Sequence, residues 1–233
     1  GRDMTNEFWD LVEKAGGKIV GFESYHPEDR DFQSQIQDLA GLTPRYRGFE
    51  LKALAEFAKE QKTKTGKEPK TKLIPIVDFD AIFIPDNPKT VATIAASLAY
   101  FDVNGVPLLG TTEWNTDQLY RRGGKFVEGA IYPSVFSSHS PNPSQREFAR
   151  NFSETFGSAP DLLSGQAFEA MALVDASLRK SNSSNRGELA NQLAALQGFE
   201  SPLGTVSFDG TRIARRKLST HVLSAGGAVI EQP

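Results

Sequence analysis

Phe79-Asp80-Ala81-Ile82-Phe83-Ile84-Pro85-Asp86-Asn87 is the stretch on which the fold turns. A short apolar, β-prone run leads into a polar loop, Pro88 follows, and Val91, Ile94, Ala95 and Leu98 then recur at helical spacing. Val106-Pro107-Leu108-Leu109-Gly110 repeats the pattern and opens into Thr111-Thr112-Glu113-Trp114-Asn115. Strand, polar loop and helix in alternation predict an α/β fold with a parallel sheet. Ligands of such sheets sit beyond the carboxyl ends of the strands, where both loops fall.

Working outward, Asp3 or Thr5 can cap a helix that carries Phe8, Leu11, Val12 and Ala15 and stops at Gly16-Gly17. Lys18 to Tyr25 reads as a strand, His26 to Asp29 as a turn, and Asp31 as the cap of a helix with Phe32, Ile36 and Leu39 inward. The rhythm breaks over 42–78. Phe49, Ala53 and Phe57 suggest an amphipathic helix, and Lys59 to Lys72 an exposed charged insertion. No aromatic residue interleaves with those lysines, so a solvated surface is expected rather than a nucleic-acid patch.

Gly129 to Pro133 reads as another strand, and Ser137 to Pro143 as a turn-rich crossing. Three helices follow, carrying Phe148, Phe152 and Phe156, then Phe168, Met171, Val174 and Leu178, then Leu189, Leu193 and Leu196. The spacing of four in the phenylalanine ladder points to core packing rather than to an aromatic ligand cage. The tail reads as strands at Gly204–Gly210, Lys217–Ser224 and Val229-Ile230, with Ala225 to Ala228 as a hairpin turn.

Composition narrows the function. The 233 residues carry a net charge of −3, which argues against nucleic acid as the main partner. No apolar run reaches the roughly 20 residues of a membrane span. The absence of cysteine removes thiolate chemistry and disulfides, and suits an oxidising compartment as well as the cytoplasm. Gly16-Gly17-Lys18 and Gly123-Gly124-Lys125 follow helices and read as C-caps, not as phosphate loops. There is no Gly-x-Ser-x-Gly elbow. His26, His139 and His221 lack metal-ligand spacing, and His139 is expected at the surface. No catalytic residue, metal or cofactor is therefore expected.

Asp86, Asn87, Thr112, Glu113 and Trp114 remain as candidate ligand-binding residues. Short polar side chains can hydrogen-bond a small molecule, and Trp114 can offer a stacking face. An equally simple reading has Asp86 and Asn87 capping the next helix and Trp114 packing inside. An acid–base pair of Asp86 and Glu113 in a hydrolase is a weaker third reading.

In these stretches, together with Val127-Glu128-Gly129-Ala130, Ser140-Pro141-Asn142-Pro143 and Gly204 to Asp209, the chain resembles the type I periplasmic binding proteins. These are the Leu/Ile/Val-binding-protein-like receptors of ABC transporters. The insertion at 42–78 resembles the penicillin-binding-protein-activator branch. The resemblance implies an α/β fold with a three-layer parallel-sheet lobe, and a first lobe that begins upstream. It places 1–133 in the second lobe, 134–206 as helices returning to an incomplete first lobe, and 207–233 as strands rejoining the second. The abrupt opening on a helix leads to the same expectation of a longer protein.

The resemblance also implies a periplasmic or cell-envelope location, a lipoprotein or secretory leader, a small-molecule ligand, and a membrane permease or an envelope enzyme as partner. In relatives that bind amino acids, an acidic residue in the loop matching Gly110-Thr111-Thr112 holds the ligand's ammonium group, and an aromatic residue lies in the loop matching Asp86-Asn87. Here Thr112 stands at the acidic position with Glu113 one place later, and Asp86 or Asn87 at the aromatic one. That departure argues against a branched-chain amino acid. A non-transport envelope protein, or a transcription regulator with a DNA-binding segment upstream, shares the fold and remains an alternative.

Overall fold

The computed structural model describes residues 2–67, 69, 72–137, 140, 142–181, 185–210, 213–227 and 229–232. His139, parts of the 137–143 crossing and of the lysine-rich run, and Ala228 of the hairpin turn lie outside them. The chain divides into two compact units, 1–130 with 223–227, and 131–222 with 228–233.

The first unit opens with helix α1 (Arg2–Lys14), which ends where Gly16 adopts φ +86° and Gly17 N–H returns to the Val12 carbonyl. Helix α2 (Gln33–Leu39) begins beside Asp31, whose carboxylate accepts the Gln33 N–H at 3.0 Å, and buries Phe32 and Ile36 as expected. Helix α3 (Pro44–Thr65) ends on Gly66 in the left-handed conformation. It carries seven residues of the run that the sequence assigned to an exposed insertion, since residues 59–65 are helical. No residue of α3 is buried, and Phe49 is 86% exposed.

Strand β1 (Ile82–Phe83), helix α4 (Pro88–Tyr100), strand β2 (Leu108–Leu109) and helix α5 (Asp117–Gly123) complete this unit in the predicted order. β1 and β2 are parallel, with Ile82 opposite Leu108 and Phe83 opposite Leu109. Val91, Ile94, Ala95 and Leu98 form the buried stripe of α4. Gly124, at φ +51°, follows α5 as the predicted C-cap. Lys18 to Tyr25 departs from expectation: it has no regular secondary structure and joins no ladder. A strand takes its hydrogen bonds from a neighbour. This segment and β1 both line a cavity of about 500 Å³.

In the second unit the sheet is antiparallel rather than parallel. Strand β3 (Ile131–Ser134) is followed by helices α6 (Pro143–Phe156), α7 (Leu162–Ser181) and α8 (Arg186–Ala194). Strands β4 (Phe199–Ser201), β5 (Gly204–Phe208), β6 (Ala214–Arg215), β7 (Ser219–Leu223) and β8 (Val229–Gln232) follow. β3 pairs antiparallel with β7, from Ile131–Val222 to Ser134–Ser219, and β8 flanks β7. β4, β5 and β6 form a separate antiparallel sheet.

Helix α7 does not bury the face that its apolar residues predict. Gly165, Glu169, Leu173 and Ser177 point inward, while Phe168, Met171 and Leu178 are exposed. Glu169 is the charged member of that inward stripe. Its carboxylate takes both guanidinium nitrogens of Arg216 and the hydroxyl of Ser201, and the two charged side chains are only 6% and 13% exposed. A buried ion pair tolerates the loss of one partner poorly. Glu169→Ala should lower the unfolding free energy by about 3–5 kcal/mol, measured by urea titration, because it strands the Arg216 guanidinium.

Candidate functional site

β1 and β2 end side by side, with Ile82 N–H bonded to the Pro107 carbonyl at 3.1 Å and Ile84 N–H to that of Leu109 at 2.9 Å. Their exit loops therefore start from one edge of the sheet. In the first loop, Asn87 Oδ1 accepts the N–H groups of Lys89 and Thr90 at 3.0 and 3.2 Å, and Pro88 occupies the first helical turn. Asn87 is thus the N-cap of α4. Asp86 Oδ1 accepts both the backbone and side-chain N–H of Asn87, at 2.6 and 2.7 Å. Asp86 Oδ2 accepts the hydroxyl of Tyr25 at 2.8 Å.

The second loop is one 3₁₀ turn, Thr112–Trp114, capped by Thr111 Oγ1 on the N–H of Glu113 at 3.3 Å. Thr112 is half-buried and Glu113 exposed. The indole of Trp114 is fully buried and lies against Gly110, where a Cβ would come within 2.0 Å of the ring. Trp114 Nε1–H donates to the backbone carbonyl of Asp86 at 2.9 Å. The expected stacking role of Trp114 is thereby corrected. With no exposed surface it cannot offer a face to a guest, and it acts as a strap between the loops. Asp86, Asn87 and the 112–114 turn are brought together, as the strand grammar predicted.

Tyr25 was missed as a member of this group. It lies 61 residues from Asp86 and ends the segment Lys18–Tyr25, which places it at the same edge as the other two loops. Burial raises its hydroxyl pKa well above the ordinary tyrosine value, and the hydrogen bond to the Asp86 carboxylate and that group's negative charge push further in the same direction. Among the described residues, no cluster of His, Asp and Glu could hold a metal ion.

The model of the family described as "Periplasmic binding protein" matches residues 1–219. The chain belongs to this family. The type I periplasmic binding fold also recurs in solved structures. A leucine-binding protein from Thermotoga maritima is 18% identical with a TM-score of 0.67, the match covering 98% of this chain and 55% of that one. A putative branched-chain amino acid ABC transporter protein from Rhodospirillum rubrum is 19% identical, with a TM-score of 0.72 over 97% of this chain and 56% of that one. An R. palustris solute-binding protein in complex with benzoate is 21% identical, with a TM-score of 0.65 over 99% and 54%. At such identities the likeness is one of fold. The chain spans about half the length of these relatives. No curated protein sequence matches it.

The Tyr25–Asp86 bond should be visible in the pH dependence of this family member. A phenol whose folded pKa is raised contributes stability that is intact below pH ~10, where the unfolded phenol ionises, and is lost as pH climbs toward the folded value. Tyr25→Phe should cost about 1–3 kcal/mol near neutral pH, as expected for a hydrogen bond to a charged group. It should also shrink the alkaline loss of stability, followed by urea titration from pH 8 to 12. The residual loss should come from Tyr132, whose burial lifts its pKa to about 12.

Proposed function

We propose that this chain forms part of an extracytoplasmic solute-binding protein, located in the periplasm or cell envelope. Its loops at Asp86-Asn87 and Thr112-Glu113 make one wall of a pocket for a small polar, amino-acid-like ligand. The ligand would be handed to the permease of an ABC transporter. The observation that carries this reading is the Trp114–Asp86 strap, which fixes two polar loops at the carboxyl edge of parallel strands. Support comes from family membership and from the like fold of substrate-binding proteins solved in complex with leucine and isoleucine.

The exposed carboxylate of Glu113 and the half-buried one of Asp86 suit a ligand that carries an ammonium group. Thr112 supplies a hydroxyl at the position where relatives place an acid. The arrangement therefore favours a more polar amino acid than leucine.

Thermal unfolding of the natural full-length protein with a panel of amino acids and polar metabolites tests this. A ligand at about 100 times its Kd stabilises by about 2.7 kcal/mol, a rise of roughly a few degrees in Tm. Glu113→Gln should abolish that rise while leaving the unliganded Tm unchanged. A panel without any stabilising compound would remove the reading.

Helix α3 favours a second reading, a non-transport envelope protein that activates or scaffolds a cell-wall enzyme. Its 22 residues bury none of their side chains, and Tyr46, Phe49 and Phe57 are all exposed. Exposed aromatic side chains of this kind suit docking. Affinity capture from envelope extracts should lose a cell-wall enzyme when residues 42–72 are deleted. An unchanged set of partners would eliminate this reading.

A further inference from the structure

Asn104-Gly105 and Asp209-Gly210 are the two places where this chain sets a short carbonyl-bearing side chain directly before glycine. At such a pair the backbone can react with its own side chain. Glycine has no Cβ, so its peptide nitrogen is open to approach. The ring that would close has five members and little strain. The structure treats the two pairs in opposite ways.

At Asp209-Gly210 both reactants are engaged. Gly210 N–H donates to the Ala194 carbonyl at 3.2 Å, and the Asp209 carboxylate accepts from Arg215 at 3.1 Å. At Asn104-Gly105 both are free, since neither residue makes a hydrogen bond among the described residues. Gly105 adopts φ +76°, and a Cβ built on it would meet nothing within 4 Å. The pair is exposed in the turn between α4 and β2, at the amino end of β2 and away from the Asp86 and Trp114 loops at the carboxyl edge. The other described asparagines are blocked. Asn87 and Asn142 precede proline, which has no N–H. Those of α1, α6 and α8 precede residues inside the helix. Asn185 holds its side chain on the α8 cap, and the Thr116 N–H after Asn115 donates to the Trp114 carbonyl at 2.7 Å.

We infer that Asn104 is a site of spontaneous deamidation in the folded protein. The Gly105 nitrogen gives its proton to a solvent base and attacks Asn104 Cγ. The new N–Cγ bond closes a succinimide while the Cγ–Nδ2 bond breaks, and the amide nitrogen takes up a proton and leaves as ammonia. Water then opens the ring. Addition at Cγ leaves an aspartate, and addition at the main-chain carbonyl leaves an isoaspartate whose backbone is one methylene longer. Either product adds a carboxylate two residues from Asp102, which is ion-paired with Lys72. The lengthened backbone leads into Pro107, whose carbonyl accepts the Ile82 N–H of β1 at 3.1 Å. Deamidation therefore loosens the β1–β2 ladder from its amino end.

Ageing of the natural full-length protein in mildly alkaline buffer tests this, read by peptide mapping with mass spectrometry and by enzymatic methylation of isoaspartate. The peptide that contains Asn104 should show the amide-to-acid mass change before any other asparagine peptide, with isoaspartate as the larger product, and Asp209 should not isomerise. Asn104→Gln should abolish the isoaspartate signal, because its ring would need six members. Hydrogen exchange at the Ile82 amide should be faster in the aged fraction than in fresh protein, and unchanged exchange there would overturn the coupling to the ladder. A folded protein that keeps Asn104 intact, while the same chain in urea converts it, would show that the turn is shielded. Isoaspartate forming equally fast at Asp209 would show that the hydrogen bonds of that pair give no protection. Either of these two results overturns the inference.

Discussion

The hydrogen bond from the Trp114 indole to the Asp86 carbonyl is the constraint on which the candidate site depends. A buried indole N–H without an acceptor is costly, so the ring must find one. Its acceptor is a backbone atom of the neighbouring loop, which ties the exit of β2 to the exit of β1. The ring fits only because residue 110 is glycine. With the loop backbone held, Asp86 can turn one carboxylate oxygen to Asn87 and the other to Tyr25. The helix cap, the strap and the half-buried phenol thus form one connected polar network, and in such networks the cost of a lost member exceeds that of an isolated bond.

In the second unit the comparable constraint is the Glu169–Arg216 pair with Ser201. Burying a carboxylate on α7 fixes the helix's rotation about its axis. The apolar residues of that helix then lie to one side of the buried stripe, and Phe168 turns toward the ladder on α6.

Several elements were legible in the sequence because their signals are local. Helices α1, α2, α4 and α6 begin or end on residues whose partners lie two to five positions away: Gly16 and Gly17, Asp31, Asn87, and Gly157 in the left-handed conformation. The stripe Val91, Ile94, Ala95 and Leu98 needed only one apolar surface nearby to be buried. Lys18 to Tyr25 was read as a strand on the same kind of evidence and is not one here. β-propensity describes a side chain's fit to a pleated surface, and the ladder itself must be supplied by another strand. The lysine-rich run is exposed as read, but its first seven residues continue α3 to Thr65 because they are good helix formers.

The sequence alone determined the alternation of strand, polar loop and helix, and with it the sheet edge that carries Asp86, Asn87, Thr112 and Glu113. It also determined the caps that start and stop most helices, because a cap and its partner are chain neighbours. Tertiary structure alone decided that Trp114 is a buried strap rather than a stacking surface, that Tyr25 belongs with Asp86, and that α7 turns Phe168 outward. Each of these outcomes depends on which distant group satisfies a buried polar atom. Periodicity along the chain carries no information about that choice.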